Sequence, residues 1–156
     1  DNKDPVSGPV KTIWSNGYVE NTGPLFNGLK EENWEYFHDN GKLRAKGSYI
    51  KNEKSGEWLT YYNNGNMRSE EVYNRGKKTG VWAFYYRSGN IRTEEEYKDN
   101  NLEGIWKFYL ESGELKESGF QKNGQRDGIL EIFDKSGDVV KRETWLMGVL
   151  KKVELY

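Results

Sequence analysis

The chain has no cysteine and only one histidine, His38, among its 156 residues. The first absence excludes disulfide staples, thiol nucleophiles and cysteine-ligated metals. The second leaves a Ser-His-Asp triad or a histidine zinc site without raw material. Proline stands only at positions 5, 9 and 24, so from residue 25 onward every backbone unit keeps its N–H for a sheet ladder. No stretch approaches the roughly 18 apolar residues that a membrane span needs. Lysine and arginine (24) nearly balance aspartate and glutamate (25), and a net charge of -1 provides no field to draw nucleic acid or anionic lipid. No enzyme activity, cofactor, metal, nucleic-acid partner or membrane span is expected.

Aromatic side chains are plentiful. With 34% hydrophobic and 31% charged residues the composition leans towards disorder. Six Trp and eleven Tyr oppose that, and predict a thin structure that buries aromatics locally. Their spacing is regular. Gly17, Gly41, Gly65, Gly89, Gly113 and Gly137 recur every 24 residues, each preceded by Asn or Ser. Trp34, Trp58, Trp82 and Trp106 keep the same interval, with Leu130 at the fifth place. A fixed period in this range marks a stacked-repeat protein, which presents an extended surface rather than a pocket.

Each unit reads as two strands joined by a turn. In the third, Glu57 to Tyr62 and Met67 to Tyr73 flank Asn63-Asn64-Gly65-Asn66. Asn-Gly between aromatic and β-branched runs predicts a hairpin, because both residues tolerate positive φ. Apolar residues stand two places after each turn glycine, and Ile13, Phe37, Tyr61, Tyr85, Tyr109 and Phe133 four places before it. Tyr49, Tyr73, Tyr97 and Trp145 follow eight places after; Phe120 falls one place early, which predicts a longer loop over 122–127. The fold class expected is all-β: an elongated, twisted antiparallel array of about six 24-residue hairpins, an open solenoid-like single sheet. The array is placed at 8–148, after a disordered or extended lead over 1–7 and before a capping strand over 149–156.

The run Gly80-Val81-Trp82-Ala83-Phe84-Tyr85-Tyr86-Arg87-Ser88-Gly89-Asn90-Ile91-Arg92 resembles the bacterial variant of the MORN (membrane occupation and recognition nexus) repeat. The pattern recurs with losses at Gly56, Gly104 and Gly128, and the resemblance spans roughly 8 to 150. The first and last units depart from it, with Val10 and Leu130 at the Trp position. The resemblance implies an elongated hairpin array used for interaction, often in antitoxin or immunity-like proteins or in the envelope. The family's link to phosphoinositides finds no basic groove in these residues.

Three local patterns imitate catalytic or ligand motifs. Glu70-Glu71 and Glu94-Glu95-Glu96 suggest paired carboxylates, but adjacent strand residues point to opposite faces, and cross-strand ion pairing between repeats accounts for them. Asp99 to Gly104 imitates the start of a calcium loop, yet its twelfth position is Leu110. Gly76-Lys77-Lys78-Thr79-Gly80 lacks the spacing and helix of a phosphate loop.

Residues that vary from unit to unit are candidates to face a partner. One row comprises Trp14, His38, Tyr62, Tyr86, Leu110 and Asp134; beside it run Tyr36, Phe84 and Phe108. Rigid, half-exposed aromatics are favoured interface anchors, so Trp14, Tyr36, His38, Tyr62, Phe84, Tyr86 and Phe108 are the partner-binding candidates; the alternative is that the stripe is the inner lining of the coiled sheet. The expected function is a non-enzymatic scaffold that binds another protein, in an antitoxin- or immunity-like role. The alternative is a carbohydrate or cell-wall module stacking sugars on aromatic rungs. Exposed terminal strands allow a weak edge-to-edge homodimer. The lack of an initiator Met leans towards an exported or cell-envelope protein.

Overall fold

The computed structural model describes residues 5–156, and every regular element among them is a β-strand. Residues 1–4 of the expected lead lie outside the described residues; from its remainder, the Val6 carbonyl accepts a hydrogen bond from the Gly28 N–H at 2.8 Å. The chain divides between Lys77 and Lys78 into two compact units.

In the first unit, β1 (Gly8–Ile13), β2 (Val19–Phe26), β4 (Glu32–Phe37), β5 (Leu43–Ile50), β6 (Glu53–Tyr61) and β7 (Met67–Asn74) lie side by side in that order, all antiparallel. The two-residue β3 (Leu29–Lys30) extends the ladder beside β2, and a second short strand, β8, covers Lys77–Lys78 at the division. The second unit repeats the plan with β9 (Gly80–Tyr85), β10 (Ile91–Lys98), β11 (Asn101–Tyr109), β12 (Leu115–Lys122), β14 (Gly128–Phe133), β15 (Val139–Leu146) and the closing β16 (Val149–Leu155). Short β13 (Gln125–Arg126) pairs with β12. Both units are open antiparallel sheets, as the sequence pattern leads one to expect.

Two kinds of hairpin turn alternate. At the regular glycines the Gly N–H bonds the carbonyl three residues back, as in Gly41 to His38 at 2.9 Å, and only the glycine takes positive φ. This is a three-residue connection with a bulge, rather than a turn in which Asn and Gly share positive φ. The preceding Asn acts through its side chain instead: Asn40 Oδ1 accepts the Lys42 N–H at 3.0 Å. The bulged residue is Glu20, Arg44, Arg68, Arg92, Lys116 or Val140, skipped by the pairing register.

The second turn was hidden in the presumed loops. Asn27-Gly28, Lys51-Asn52, Arg75-Gly76, Asp99-Asn100, Asn123-Gly124 and Met147-Gly148 each place two successive residues at positive φ, near 50° and then near 75°. That pair defines a type I′ turn, whose twist suits neighbouring strands. Its second N–H reaches the previous repeat, as Gly76 does to the Lys54 carbonyl at 2.8 Å.

The longer loop expected over 122–127 is not present. The turn at Asn123-Gly124 has the same length as the others. Gln121, not Phe120, holds the place of Tyr49, Tyr73 and Tyr97, and Phe120 points to the exposed face opposite Ile105. Strand alternation, not aromatic character, decides the side a residue faces.

Candidate interaction surface

One face of each sheet is an aromatic lining seeded by the anchor residues. Trp34 and Trp58 are buried in the first unit, Trp82 and Leu130 in the second. Glycine makes room for the rings. A β-carbon on Gly23 would lie 2.4 Å from the Trp34 ring, and one on Gly47 2.3 Å from that of Trp58. Each indole N–H then reaches a main-chain carbonyl: Trp34 Nε1 to Pro24 at 3.1 Å, Trp58 Nε1 to Ser48 at 3.0 Å.

Lysines, which sequence alone suggests are solvated, cover these rings. Lys30 Nζ lies 4.3 Å from the Trp34 ring centre, Lys54 Nζ 4.2 Å from that of Trp58, and Lys78 Nζ 4.4 Å from that of Trp82. The ammonium is attracted by the negative face of the ring while its methylene stem covers apolar surface. Tyrosines close the cage on the other side, Tyr73 at 4.7 Å from Lys54 Nζ and Tyr97 at 4.8 Å from Lys78 Nζ. Burial raises the hydroxyl pKa of Tyr49, Tyr73 and Tyr97; a hydrogen bond to Glu71 adds to this at Tyr73, and one to Glu95 at Tyr97.

The sequence-derived candidates separate into two rows within this arrangement. Tyr36, Phe84 and Phe108 belong to the lining and are half-buried. Tyr36 lies 6.0 Å from the Trp58 ring, and its hydroxyl is 2.9 Å from that of Tyr49. Phe84 lies 6.1 Å from Trp82. Trp14, His38, Tyr62 and Tyr86, also half-buried, open the bulged turns. In three of them the polar tip ties one repeat to the next: Trp14 Nε1 donates to the Phe37 carbonyl at 3.2 Å, and Tyr86 Oη to the Tyr109 carbonyl at 2.8 Å. His38 Nε2 lies 3.0 Å from the Tyr61 carbonyl oxygen.

The glutamate runs form cross-strand contacts, with lysine as the basic partner. Lys107 Nζ meets Glu94 at 3.2 Å between β11 and β10, and Lys54 Nζ approaches Glu71 at 3.9 Å between β6 and β7. Glu96 turns to the other face, where it accepts the Ile105 N–H at 3.3 Å.

That other face differs between the units. In the first, Asn33 and Glu57 occupy the place one residue before the anchor; in the second, Val81, Ile105 and Ile129 do, exposed by 58%, 57% and 52%. Ile105 stands directly opposite Phe120, itself 40% exposed. Ile129 on β14 faces the same side as Phe120: β12 pairs Ser118 with Glu131 and then shifts register, so that the Asp127 N–H donates to the Phe120 carbonyl at 3.0 Å. Three large apolar side chains thus share one solvent-facing side of β11, β12 and β14. The 24-residue interval of Val81, Ile105 and Ile129 could have revealed them, but exposed apolar residues are common enough to escape notice singly.

Four consecutive units match the family model of the MORN repeat variant, over residues 33–51, 54–75, 78–99 and 102–123. The chain belongs to the MORN repeat variant family. Those MORN units are the ones that carry the anchor Trp, and the hairpins before and after them keep the same pairing around Val10 and Leu130. Among proteins of known function, none matches the chain. The MORN array is a repeat scaffold, and among its described residues no helix is long and apolar enough to cross a membrane.

Proposed function

We propose that this MORN-repeat chain is a non-enzymatic scaffold that binds another protein, with an antitoxin- or immunity-like role as its finer reading. The observation that carries the proposal is the exposed row Ile105, Phe120 and Ile129, held on rigid strands of the second unit. Apolar groups on one solvent-facing side are favourable to cover, and a sheet presents them with little ordering entropy left to lose. The non-enzymatic part is supported by the inventory: the single histidine has its Nε2 against a main-chain carbonyl, and no cysteine exists. The glycan alternative has no observation in its favour, since the Trp34, Trp58 and Trp82 rings face lysines and other rings.

The test is affinity capture from source-cell fractions with wild type and Ile105→Glu/Ile129→Glu, both verified as folded by circular dichroism. A protein retained by wild type and lost with the double variant supports the reading. Equal retention by both moves the interface elsewhere, and no specific protein at all overturns the proposal.

A further inference from the structure

The repeat anchored by Trp106 lacks the resident cation of its neighbours. Position 102, which corresponds to Lys30, Lys54 and Lys78, is Leu. Two further substitutions accompany it: Gln121 stands where Tyr73 and Tyr97 stand, and Gly119 where Glu71 and Glu95 stand. The seat that Gly23 and Gly47 leave open for the following Trp is filled before Trp106 by Glu95, paired opposite it. The ring therefore leans over its own hairpin, with Nε1 2.9 Å from where a Gly119 β-carbon would be. That Nε1 is buried without a hydrogen-bond partner, whereas Trp34 and Trp58 donate to carbonyls.

The outcome is a cavity of about 300 Å³, lined by Glu95, Leu102, Trp106, Glu117, Gln121 and Arg126. Two carboxylates oppose one guanidinium. Arg126 lies 5.1 Å from the Trp145 ring, and its charge helps hold the Glu143 carboxyl below its ordinary pKa. Glu95 Oε2 accepts the Tyr97 hydroxyl at 2.7 Å, leaving its other oxygen for a ligand. An aromatic face, two carboxylates and an amide oxygen are the groups that recognise an ammonium.

We propose that this cavity binds a primary alkylammonium, seated on Trp106 between Glu95 and Glu117 in the place that the chain's own lysine takes in the preceding repeats. The same chemistry is offered by a lysine side chain of a partner and by a free alkylamine. The inference rests on the internal comparison of repeats and not on the protein-binding reading.

The test follows indole N–H resonances of the 15N-labelled full chain while n-butylammonium chloride is added, with n-butanol as the neutral control. Trp106 is expected to shift saturably with the amine and not with butanol, while Trp34, Trp58 and Trp82, each already covered by a lysine, stay in place. Leu102→Lys supplies the missing ammonium and abolishes the shift; Glu95→Gln/Glu117→Gln weakens it and remains folded by its overall spectrum. A parallel titration with Nα-acetyl-lysine methylamide separates the sources: a shift at Trp106 admits a partner's lysine, and a shift with butylammonium alone restricts the site to free amines. No saturable Trp106 shift in the wild type, an equal shift with butanol, or an unchanged shift in Leu102→Lys overturns the proposal.

Discussion

The Trp58 indole lies over the α-carbon of Gly47 so closely that a β-carbon there would be 2.3 Å from the ring. Gly47 has no positive φ, so space alone demands glycine. Gly47→Ala is expected to lower stability by about 1–3 kcal/mol, the usual cost of overpacking a fixed core. Urea unfolding of the single variant, of Trp58→Leu and of the pair gives the check. The two changes should be strongly non-additive, because a smaller residue at 58 removes the clash. Additive losses would show that the ring does not occupy that seat.

Removing a caging ammonium should cost less than removing the ring beneath it. Lys54 touches Trp58 and Tyr73 and approaches Glu71. Lys54→Met keeps the stem and discards the charge, with an expected loss of about 0.5–2 kcal/mol for a partly desolvated cation–π contact. Exposed lysines such as Lys46 should tolerate the same change within error in thermal unfolding, since nothing comparable lies beneath them.

Much of this fold was legible because backbone geometry repeats a demand for one residue type. Only glycine meets the bulged turn cheaply, so Gly17 to Gly137 record it six times. The type I′ turns carry the Asn-Gly signature at Asn27-Gly28 and Asn123-Gly124, but not at Lys51, Arg75 and Met147, which tertiary bonding holds in a conformation their side chains disfavour. The lysine cages were invisible for another reason: in a sequence, a lysine beside glutamates reads as solvated. Trp14, His38 and Tyr86 were recognised as a row, but their half-buried hydrogen bonds to the next repeat follow only from register. The apolar row Val81, Ile105 and Ile129 lay in plain view on the opposite strand parity.

Strain at those turns should be relievable. Met147 holds φ 49° with an exposed side chain, and the Asp127 carboxylate accepts its N–H at 3.0 Å. Met147→Asn keeps that donor and tolerates the left-handed region, so stability should rise by a few tenths to about 1 kcal/mol. Met147→Val, branched at the β-carbon, should fall by a comparable amount. A melting temperature unchanged in both variants would remove strain from the account.

Acid should weaken the second unit through Glu143. This carboxylate is only 8% exposed, and its pKa is lowered by the Lys141 ammonium at 2.6 Å and by the Trp145 indole N–H at 2.9 Å. A depressed folded pKa means that the unfolded chain binds its proton first. The contribution is therefore complete above the ordinary glutamate value near 4.3, and disappears as pH falls below it through the folded value. Urea midpoints for wild type and Glu143→Gln should differ most at pH 7 and converge in acid.

The tyrosines predict the opposite limb. Tyr49, Tyr73 and Tyr97 all have pKa values raised chiefly by burial, and Tyr73 and Tyr97 each donate to a carboxylate that would repel a phenolate. For an acid whose folded pKa lies above its unfolded value, stability is intact below about pH 10 and declines as pH rises past it, because only the unfolded chain then releases the proton. Phenolate absorbance at 295 nm should show a late second step, in which the caged tyrosines ionise together with loss of the β-sheet dichroism. Tyr73→Phe and Tyr97→Phe should each reduce the second step and shift it to higher pH. If all tyrosines titrated in one step near pH 10 with the sheet intact, the phenols would be open to water and the cages would not be closed.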